Sequence, residues 1–246
     1  MKRQMKGTRK ERASSGQVPI VKEKTFSDSY GYTKFKLSET QQVFANKILA
    51  NDMVVCSAPS GTGKSLATLH TFVKMYLQDP GKQIVVVRTP VESGLDKIGF
   101  LPSGISEKLE PHFASASMLL NKLLNKSKVE VDMDHRIHFK IPNYLLGSTF
   151  DNTLLLIDEA QEIPPLIMKL ILERVGVHSK VVVLGDPSQR YATEKGRNGL
   201  SDVIDKFFDD EDGQKVQKFN SVDYHQFEIE DVQRSEFCKT VLRAYA

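Results

Sequence analysis

The stretch "APSGTGKS", residues Ala58–Ser65, lies between the apolar run "MVVC" and the amphipathic segment "LATLHTFVKMYL". In a loop of the form GxxxxGK[ST], backbone N–H groups surround phosphates, the lysine reaches their oxygens and the hydroxyl binds Mg²⁺. Gly63, Lys64 and Ser65 match that pattern, and Ala58 stands where it has its first glycine. The stretch therefore predicts a nucleoside triphosphate site, and the residues expected to hold the nucleotide are Ser60, Gly61, Thr62, Gly63, Lys64 and Ser65.

Short β-rich runs alternate with amphipathic segments from about residue 36 onward. The runs "MVVCSA", "QIVVVRTP", "TLLLIDEA" and "KVVVLGDPSQ" are almost continuously apolar, as strands covered on both faces need to be. This alternation predicts an α/β fold with a mostly parallel, doubly wound sheet and helices on both faces. "DYHQFEIE" and "VQRSEFCKTVLRAY" predict a final strand and a final helix.

Three intervening segments have less regular patterns. "SEKLEPHFASASMLLNKLLNK" predicts a long helix that Pro111 could break. "VEVDMDHRIHFKI" alternates apolar and polar residues and predicts a small inserted β-hairpin. His135 and His138 would point to opposite faces of an extended strand, so a solvated hairpin is expected there rather than a metal site. "FFDDEDGQK" predicts an acidic, solvated loop.

The composition suits one large α/β domain, since 40% of the 246 residues are hydrophobic. We expect this domain at residues 36–246, preceded by a basic, flexible arm at residues 1–35. Residues 1–15 hold six basic side chains against Glu11, which suits a solubilising leader or a loose contact with nucleic-acid phosphates. No apolar run reaches the roughly 18 residues of a membrane span, and the cysteines follow no disulfide pattern. We therefore expect a cytoplasmic protein without membrane contact.

Polar side chains follow two of the predicted strands at the points where these strands end. Asp158 in "LLLIDEAQ" is expected to bind Mg²⁺ and Glu159 to orient and deprotonate a water, although two acids could simply cap the next helix. Gln189 in "VVVLGDPSQ" is expected, with Asp186, to sense the γ-phosphate, although Asp-Pro-Ser also forms turns by itself. Arg234 is either the cation that stabilises the transition state, from the same or a neighbouring subunit, or a salt-bridged surface residue.

A resemblance to a known family covers the chain from about residue 36 to its last residue. The segments "GTGKS", "RTPVESGLDKIGFLPSGISEKLEPH", "LLIDEAQEI", "VGVHSKVVVLGDPSQ", "RNGL" and "DVQRSEFCKTVLRAY" resemble, in order and spacing, the PhoH family of P-loop ATPases, which is related to the core of superfamily-one helicases. The resemblance implies a RecA-like P-loop NTPase core that hydrolyses ATP with Mg²⁺. It also implies an adenine contact by Gln42, for which an exposed helix position is the alternative. Single-stranded RNA or DNA is the implied partner, with Arg88, Thr89 and Ser93 as its contacts.

The chain departs from the family pattern in "LLGST", where family members commonly read "RGRT". Leu146 and Ser148 stand in place of the arginines, so any nucleic-acid or intersubunit role of those arginines has no counterpart here. The chain otherwise resembles the short forms carried by bacteriophages, which lack an attached nuclease-like or RNA-binding domain, and the expected location is a bacterial or phage-infected cytoplasm. Because one RecA-like lobe must borrow a partner, we expect a homo-oligomer, with a hexameric ring as the specific hypothesis.

Three functions remain open at this point. The first is an ATPase coupled to single-stranded RNA or DNA, with duplex unwinding as an extension. The second is an assembly or regulatory switch that binds ATP and turns it over little, which "LLGST" favours. The third is a kinase, against which Glu159 and Gln189 argue because they suit water as the acceptor.

Overall fold

The computed structural model describes residues 27–90, 105–133, 135–145, 147, 149–189 and 197–245. The expectations for residues 1–26 of the arm and for Ser93, Leu146 and Ser148 lie outside these ranges. Within them, no helix is long and apolar enough to cross a membrane.

Eight strands and seven α-helices make up the described part of the chain. The strands are β1 (Met53–Ser57), β2 (Gln83–Arg88), β3 (Ile137–Lys140), β4 (Thr153–Asp158), β5 (Lys180–Gly185), β6 (Phe208–Glu211), β7 (Gln214–Gln217) and β8 (Val222–Gln226). The helices are α1 (Glu39–Ala50), α2 (Lys64–Gln78), α3 (Ile105–Leu123), α4 (Lys126–Asp132), α5 (Pro165–Leu172), α6 (Gly199–Phe207) and α7 (Glu236–Tyr245).

Six of the strands form one sheet in the order β3-β2-β4-β5-β1-β8, and every neighbouring pair is parallel. The central strands β1, β4 and β5 are buried along almost their whole length, which is why their sequences do not alternate. The predicted α/β, RecA-like P-loop NTPase fold is confirmed. In a parallel sheet all carboxyl ends meet at one edge, so the loops after β1, β4 and β5 lie together.

The sheet carries a core on each face. Val54 and Cys56 of β1 point into the core shared with α1, α2 and α3. Met53 and Val55 of the same strand point into the core shared with α5 and α6. Helices therefore cover both faces, as the sequence predicts.

The helix α3 runs through Pro111 without a break, so the expected interruption is wrong. Pro111 lies on the exposed side of the helix. The missing N–H of a proline removes one helical hydrogen bond, and the flanking turns continue on either side.

The hairpin is predicted at the wrong place. "VEVDMDHRIHFKI" forms the end of α4 and the edge strand β3, which pairs parallel to β2. Asn125 starts α4 because its side chain accepts a hydrogen bond from Ser127 N at 3.1 Å. The structure's hairpin is β6–β7, in the segment predicted to be a solvated loop. Its turn holds Asp212 and Gly213 at φ of 51° and 82°, the left-handed values that an Asp-Gly hairpin turn requires.

Residues at the end of the expected arm are attached to the domain through a buried polar cluster. The Tyr30 hydroxyl donates to Asp132 Oδ2 at 2.6 Å, and the Tyr76 hydroxyl donates to the same oxygen. The Arg136 guanidinium stacks on the Tyr76 ring at 3.9 Å and donates to the backbone oxygen of Lys82 at 3.0 Å. The cluster ties α2, α4 and the N-terminal segment together, so Tyr30 of the expected arm packs against the domain.

Candidate nucleotide site

The loop between β1 and α2 has the backbone geometry of a phosphate-binding loop. Gly61 and Gly63 have φ values of 91° and 81°, a region that other residues rarely adopt. Ala58 has no positive φ, so alanine is tolerated at the first position of the motif. Lys64 is buried, and its Nζ donates to Ala58 O at 3.3 Å across the loop. Ser65 is half-buried in the first turn of α2, where its hydroxyl suits Mg²⁺.

The structure brings Gln41, not Gln42, to this loop. The side-chain nitrogen Nε2 of Gln41 donates to Thr62 O at 2.8 Å, and a Cβ on Gly63 would lie 2.4 Å from the same nitrogen. Gln42 is exposed and donates to Asn46 Oδ1 at 3.1 Å within α1. The expected adenine contact by Gln42 is therefore corrected to a surface position.

The reason lies in the cap of α1. Ser38 and Gln41 form a capping box, in which Gln41 occupies the third helical position. Consecutive helical residues are rotated by about 100°, so Gln42 points away when Gln41 faces the loop. The segment "SETQ" carried this signal in the sequence.

Two carboxylates lie at the end of β4. Asp158 is buried, and burial raises the pKa of its carboxyl, with the neighbouring Glu159 acting in the same direction and Arg88 and Lys64 opposing. Its Oδ2 lies 3.7 Å from the Arg88 guanidinium, whereas its Oδ1 is buried and has no hydrogen-bond partner among the described residues. A buried, unpartnered carboxylate oxygen at this edge fits a Mg²⁺ ligand.

Two contacts hold the Glu159 side chain, which makes no capping hydrogen bond to the following helix. Its backbone is left-handed, with φ of 52°, and its Oε1 lies 3.3 Å from the Arg88 guanidinium. The Gln161 amide donates to Glu159 Oε2 at 2.7 Å. The other end of the Gln161 side chain accepts a hydrogen bond from Asp186 N at 3.1 Å. Gln161 thus joins the turn after β4 to the turn after β5, a role that the sequence analysis missed although "DEAQ" contains it.

The turn after β5 supports both interpretations of "GDPSQ". Asp186 Oδ1 accepts hydrogen bonds from Ser188 N at 2.9 Å and Ser188 Oγ at 2.6 Å, which is the turn that Asp-Pro-Ser builds. Its Oδ2 is buried without a hydrogen-bond partner among the described residues. Gln189 follows, with its backbone N–H bonded to Asp186 O at 3.2 Å. Since β5 lies between β1 and β4, Gln189 emerges between the phosphate loop and the carboxylates.

Arg234 lies against the phosphate loop of its own chain. A Cβ built on Gly61 would be 2.9 Å from Arg234 Nε, and the backbone N–H of Gln233 donates to Gly61 O at 2.9 Å. Within the described part of the chain, Arg234 forms no ion pair. Its position favours a contribution from the same subunit over the salt-bridged alternative.

The residues expected to contact a strand are placed differently. Arg88 faces the carboxylates of β4 and donates to Ser115 Oγ at 3.2 Å, so its charge is directed into the site. The Thr89 hydroxyl is buried without a partner among the described residues. His135 is exposed. In the described ranges, no three or more His, Cys, Asp and Glu side chains are grouped as metal ligands would be.

Comparisons with known proteins agree with this architecture. The family model described as "PhoH-like protein" matches residues 35–246. The chain is 28% identical over 212 residues to Protein PhoH of Escherichia coli (strain K12), a match covering 85% of this chain and 57% of that protein. It is 32% identical over 162 residues to the PhoH-like protein of Bacillus subtilis (strain 168), covering 65% and 50%. The chain spans about half the length of the curated relatives it matches.

Solved structures with a similar fold have low sequence identity. A mutant form of the large terminase ATPase domain of a Thermus phage has a TM-score of 0.48 and 15% identity, covering 88% of this chain and 90% of that one. The Pif1 helicase from Candida albicans has a TM-score of 0.41 and 14% identity, covering 86% and 44%.

Proposed function

The chain belongs to the PhoH-like protein family, and we propose that it is a Mg²⁺-dependent ATPase coupled to single-stranded RNA or DNA. The observation that carries the proposal is the pairing of two features at one sheet edge. One is a loop with two left-handed glycines and a buried Lys64; the other is a buried Asp158 oxygen without a protein partner among the described residues. Such a pair suits a triphosphate and its cation.

The phosphate-binding part of the proposal uses the loop itself. Residues from Ser60 to Ser65 present backbone N–H groups, and Lys64 exchanges Ala58 O for a phosphate oxygen when ATP binds. Ser65 and Asp158 are the proposed Mg²⁺ ligands. Bound Mg²⁺ supplies charge neutralisation at the phosphate oxygens.

The hydrolytic part uses Glu159 as the base. Its carboxylate is held by Gln161 and Arg88, and a held carboxylate orients a water more effectively than a free one. Gln189 follows the neighbouring turn and is the proposed γ-phosphate sensor. Arg234 approaches from the same chain and supplies positive charge as the phosphoryl group transfers.

Coupling to a strand rests on the resemblance to the superfamily-one core and on the basic residues within positions 1–15. We place the ATPase unit at residues 36–246 and the protein in the cytoplasm of a bacterium or phage-infected cell. A homo-oligomer, with a hexameric ring as its specific form, and duplex unwinding are the further parts of this proposal.

Steady-state ATP hydrolysis with Mg²⁺, with and without single-stranded RNA or DNA, tests the function. We expect a strand to raise the rate, Lys64→Ala to abolish it by losing phosphate contacts, and Glu159→Gln to abolish it with ATP still bound. Lys74→Ala is the matched control, because Lys74 is an exposed lysine of the same helix. Hydrolysis that survives Glu159→Gln would refute the assignment of the base.

The second candidate is an ATP-dependent assembly switch with little turnover. The contact of Arg234 with Gly61 favours it, because a residue that leads into α7 touches the loop in which a triphosphate would bind. Light scattering with and without ATP distinguishes the two functions. A change in assembly with negligible hydrolysis on every strand would make the switch the function.

A further inference from the structure

A cavity of about 490 Å³ lies at the carboxyl edge of the sheet, next to the phosphate loop. Tyr224 and Gln226 of β8 contribute to its wall. His225 lies between them and points the opposite way, where it stacks on Phe44 of α1 at 5.1 Å. The cavity reaches the phosphate loop through Ala58 and Pro59, and Phe227 of the Phe44 core forms part of its wall.

The lining is aromatic and amide-rich. Tyr224, Phe227 and Tyr245 contribute rings, and Gln189 and Gln226 contribute amides. None of the described lining residues is a lysine or arginine. Of the two lining carboxylates, Glu228 accepts from the Gln226 amide at 2.9 Å and Asp186 accepts from Ser188 N at 2.9 Å. This chemistry suits a flat, uncharged, hydrogen-bonding group and disfavours a phosphate.

Cations are found on the helix that forms the outer wall. Arg243 follows the lining residue Leu242 by one position on α7, about 100° around the helix. It pairs with Glu230 at 3.1 Å, and Lys239 pairs with Glu236 at 3.3 Å. The Arg243–Glu230 pair is exposed and contributes little, so the Arg243 guanidinium can turn to another anion. The rings and amides of the lining suit a nucleobase bound inside the cavity. The basic residues on the flanking helix suit the phosphates of the same strand, which would lie outside the cavity.

We propose that this cavity binds one nucleobase of a single-stranded nucleic acid, stacked on Tyr245 and Tyr224. The inference rests on the proposed function, because the strand is the partner proposed there. It identifies the cavity as the place where a bound base would contact the ATP site. The cavity wall includes both Pro59 of the phosphate loop and Gln189, so an occupant touches the two loops that face the triphosphate.

The test is binding of a fluorescein-labelled oligouridylate of roughly ten nucleotides, measured by anisotropy with the full chain and no ATP. Tyr245 is 88% exposed, so its replacement leaves the fold intact. We expect Tyr245→Ala to weaken binding about 10-fold, since stacking on one ring contributes about that factor, and Tyr245→Phe to restore it. The matched control is Phe219→Ala, an aromatic side chain 55% exposed on another surface, which should bind as wild type does.

Two further measurements separate the possible outcomes. An oligomer of abasic nucleotides should bind equally to wild type and Tyr245→Ala, and a 5-iodouridine strand should cross-link to Tyr224 or Tyr245. If the strand binds the wild type and raises its ATPase rate, and Tyr245→Ala binds the strand with the same affinity, the cavity is not the base site. The proposed function then stands. If wild type binds no strand, the cavity assignment and the coupling both fail, while hydrolysis without a strand still tests the ATPase.

Discussion

Replacing Gln161 with leucine removes a side chain that is buried and joins the two turns of the site. The amide donates to the Glu159 carboxylate at 2.7 Å, and the carbonyl accepts from Asp186 N at 3.1 Å. A hydrogen bond to a charged group contributes about 1.5 to 3 kcal/mol. If all of it is used to hold the base in the transition state, kcat falls roughly 10- to 150-fold. KM for ATP should stay near the wild-type value, because leucine does not alter the phosphate loop.

The same substitution has a separate effect on stability. It leaves the buried Asp186 N–H without its acceptor, which costs about 1 to 3 kcal/mol. For a chain of this length that lowers Tm by roughly 2 to 12 °C. Steady-state kinetics and thermal unfolding therefore report on the two ends of the Gln161 side chain independently.

Gln161→Glu is the matched variant, since it keeps an oxygen for Asp186 N–H but places a carboxylate against Glu159. Two carboxylates at this distance share a proton, so the pKa of one of them rises in the folded state. The folded protein then binds more protons than the unfolded chain, and the variant loses stability as pH rises through that pKa. If Gln161→Leu and Gln161→Glu both keep the wild-type kcat, then Gln161 does not position Glu159 for catalysis and this reasoning is refuted.

Three other predictions test separate parts of the molecule. Burial, together with nearby Lys47, lowers the pKa of His225 to about 4, below its ordinary value of 6.5. The unfolded chain therefore binds more protons than the folded protein between these two pH values. The free energy of unfolding should fall by about 2 to 3 kcal/mol as the pH drops from 6.5 to 4. Urea unfolding at both pH values should show this loss in the wild type and a smaller loss in His225→Gln. Gly61→Ala should weaken ATP binding in calorimetry, because its φ is 91° and its Cβ would meet Arg234 at 2.9 Å; unchanged affinity would contradict the loop geometry. Asp132→Ala leaves the buried hydroxyls of two tyrosines without their acceptor. The free energy of unfolding in urea should therefore fall by about 2 to 5 kcal/mol. A decrease below about 1 kcal/mol would mean that the cluster contributes little to stability.

The phosphate loop and the carboxylates were predictable because their signals are local. A glycine-rich turn between an apolar strand and a helix fixes the geometry around Lys64, whatever the rest of the chain does. Asp158 ends β4 and Gln189 lies in the turn that follows β5, and parallel strands bring their carboxyl ends to one edge of the sheet. Sequence reasoning therefore placed these side chains at one edge of the sheet, which is where the structure has them.

The wrong predictions concern residues whose placement depends on the rotation of a helix about its axis or on a contact with residues distant in the sequence. Gln41 and Gln42 are chemically identical, and only the helix start at Ser38 decides which one faces the loop. The alternation in residues 129–141 resembles a hairpin, but α4 forms there because Asp132 receives the hydroxyls of Tyr30 and Tyr76 from far along the chain. Tertiary contacts of this kind override a local strand pattern.

The order of the strands in the sheet could not be predicted from the sequence. It determines which turn lies between the phosphate loop and the carboxylates. Because β5 lies between β1 and β4, the turn that begins at Asp186 separates the phosphate loop from the carboxylates. Gln161 can span that gap only because residue 185 is glycine: a Cβ there would lie 2.7 Å from Gln161 Oε1. A side chain at position 185 would therefore displace Gln161 and release Glu159 without touching the nucleotide. The position of Glu159, the proposed base, thus depends on β5, and we expect any ligand that moves the turn after β5 to act on both halves of the site at once.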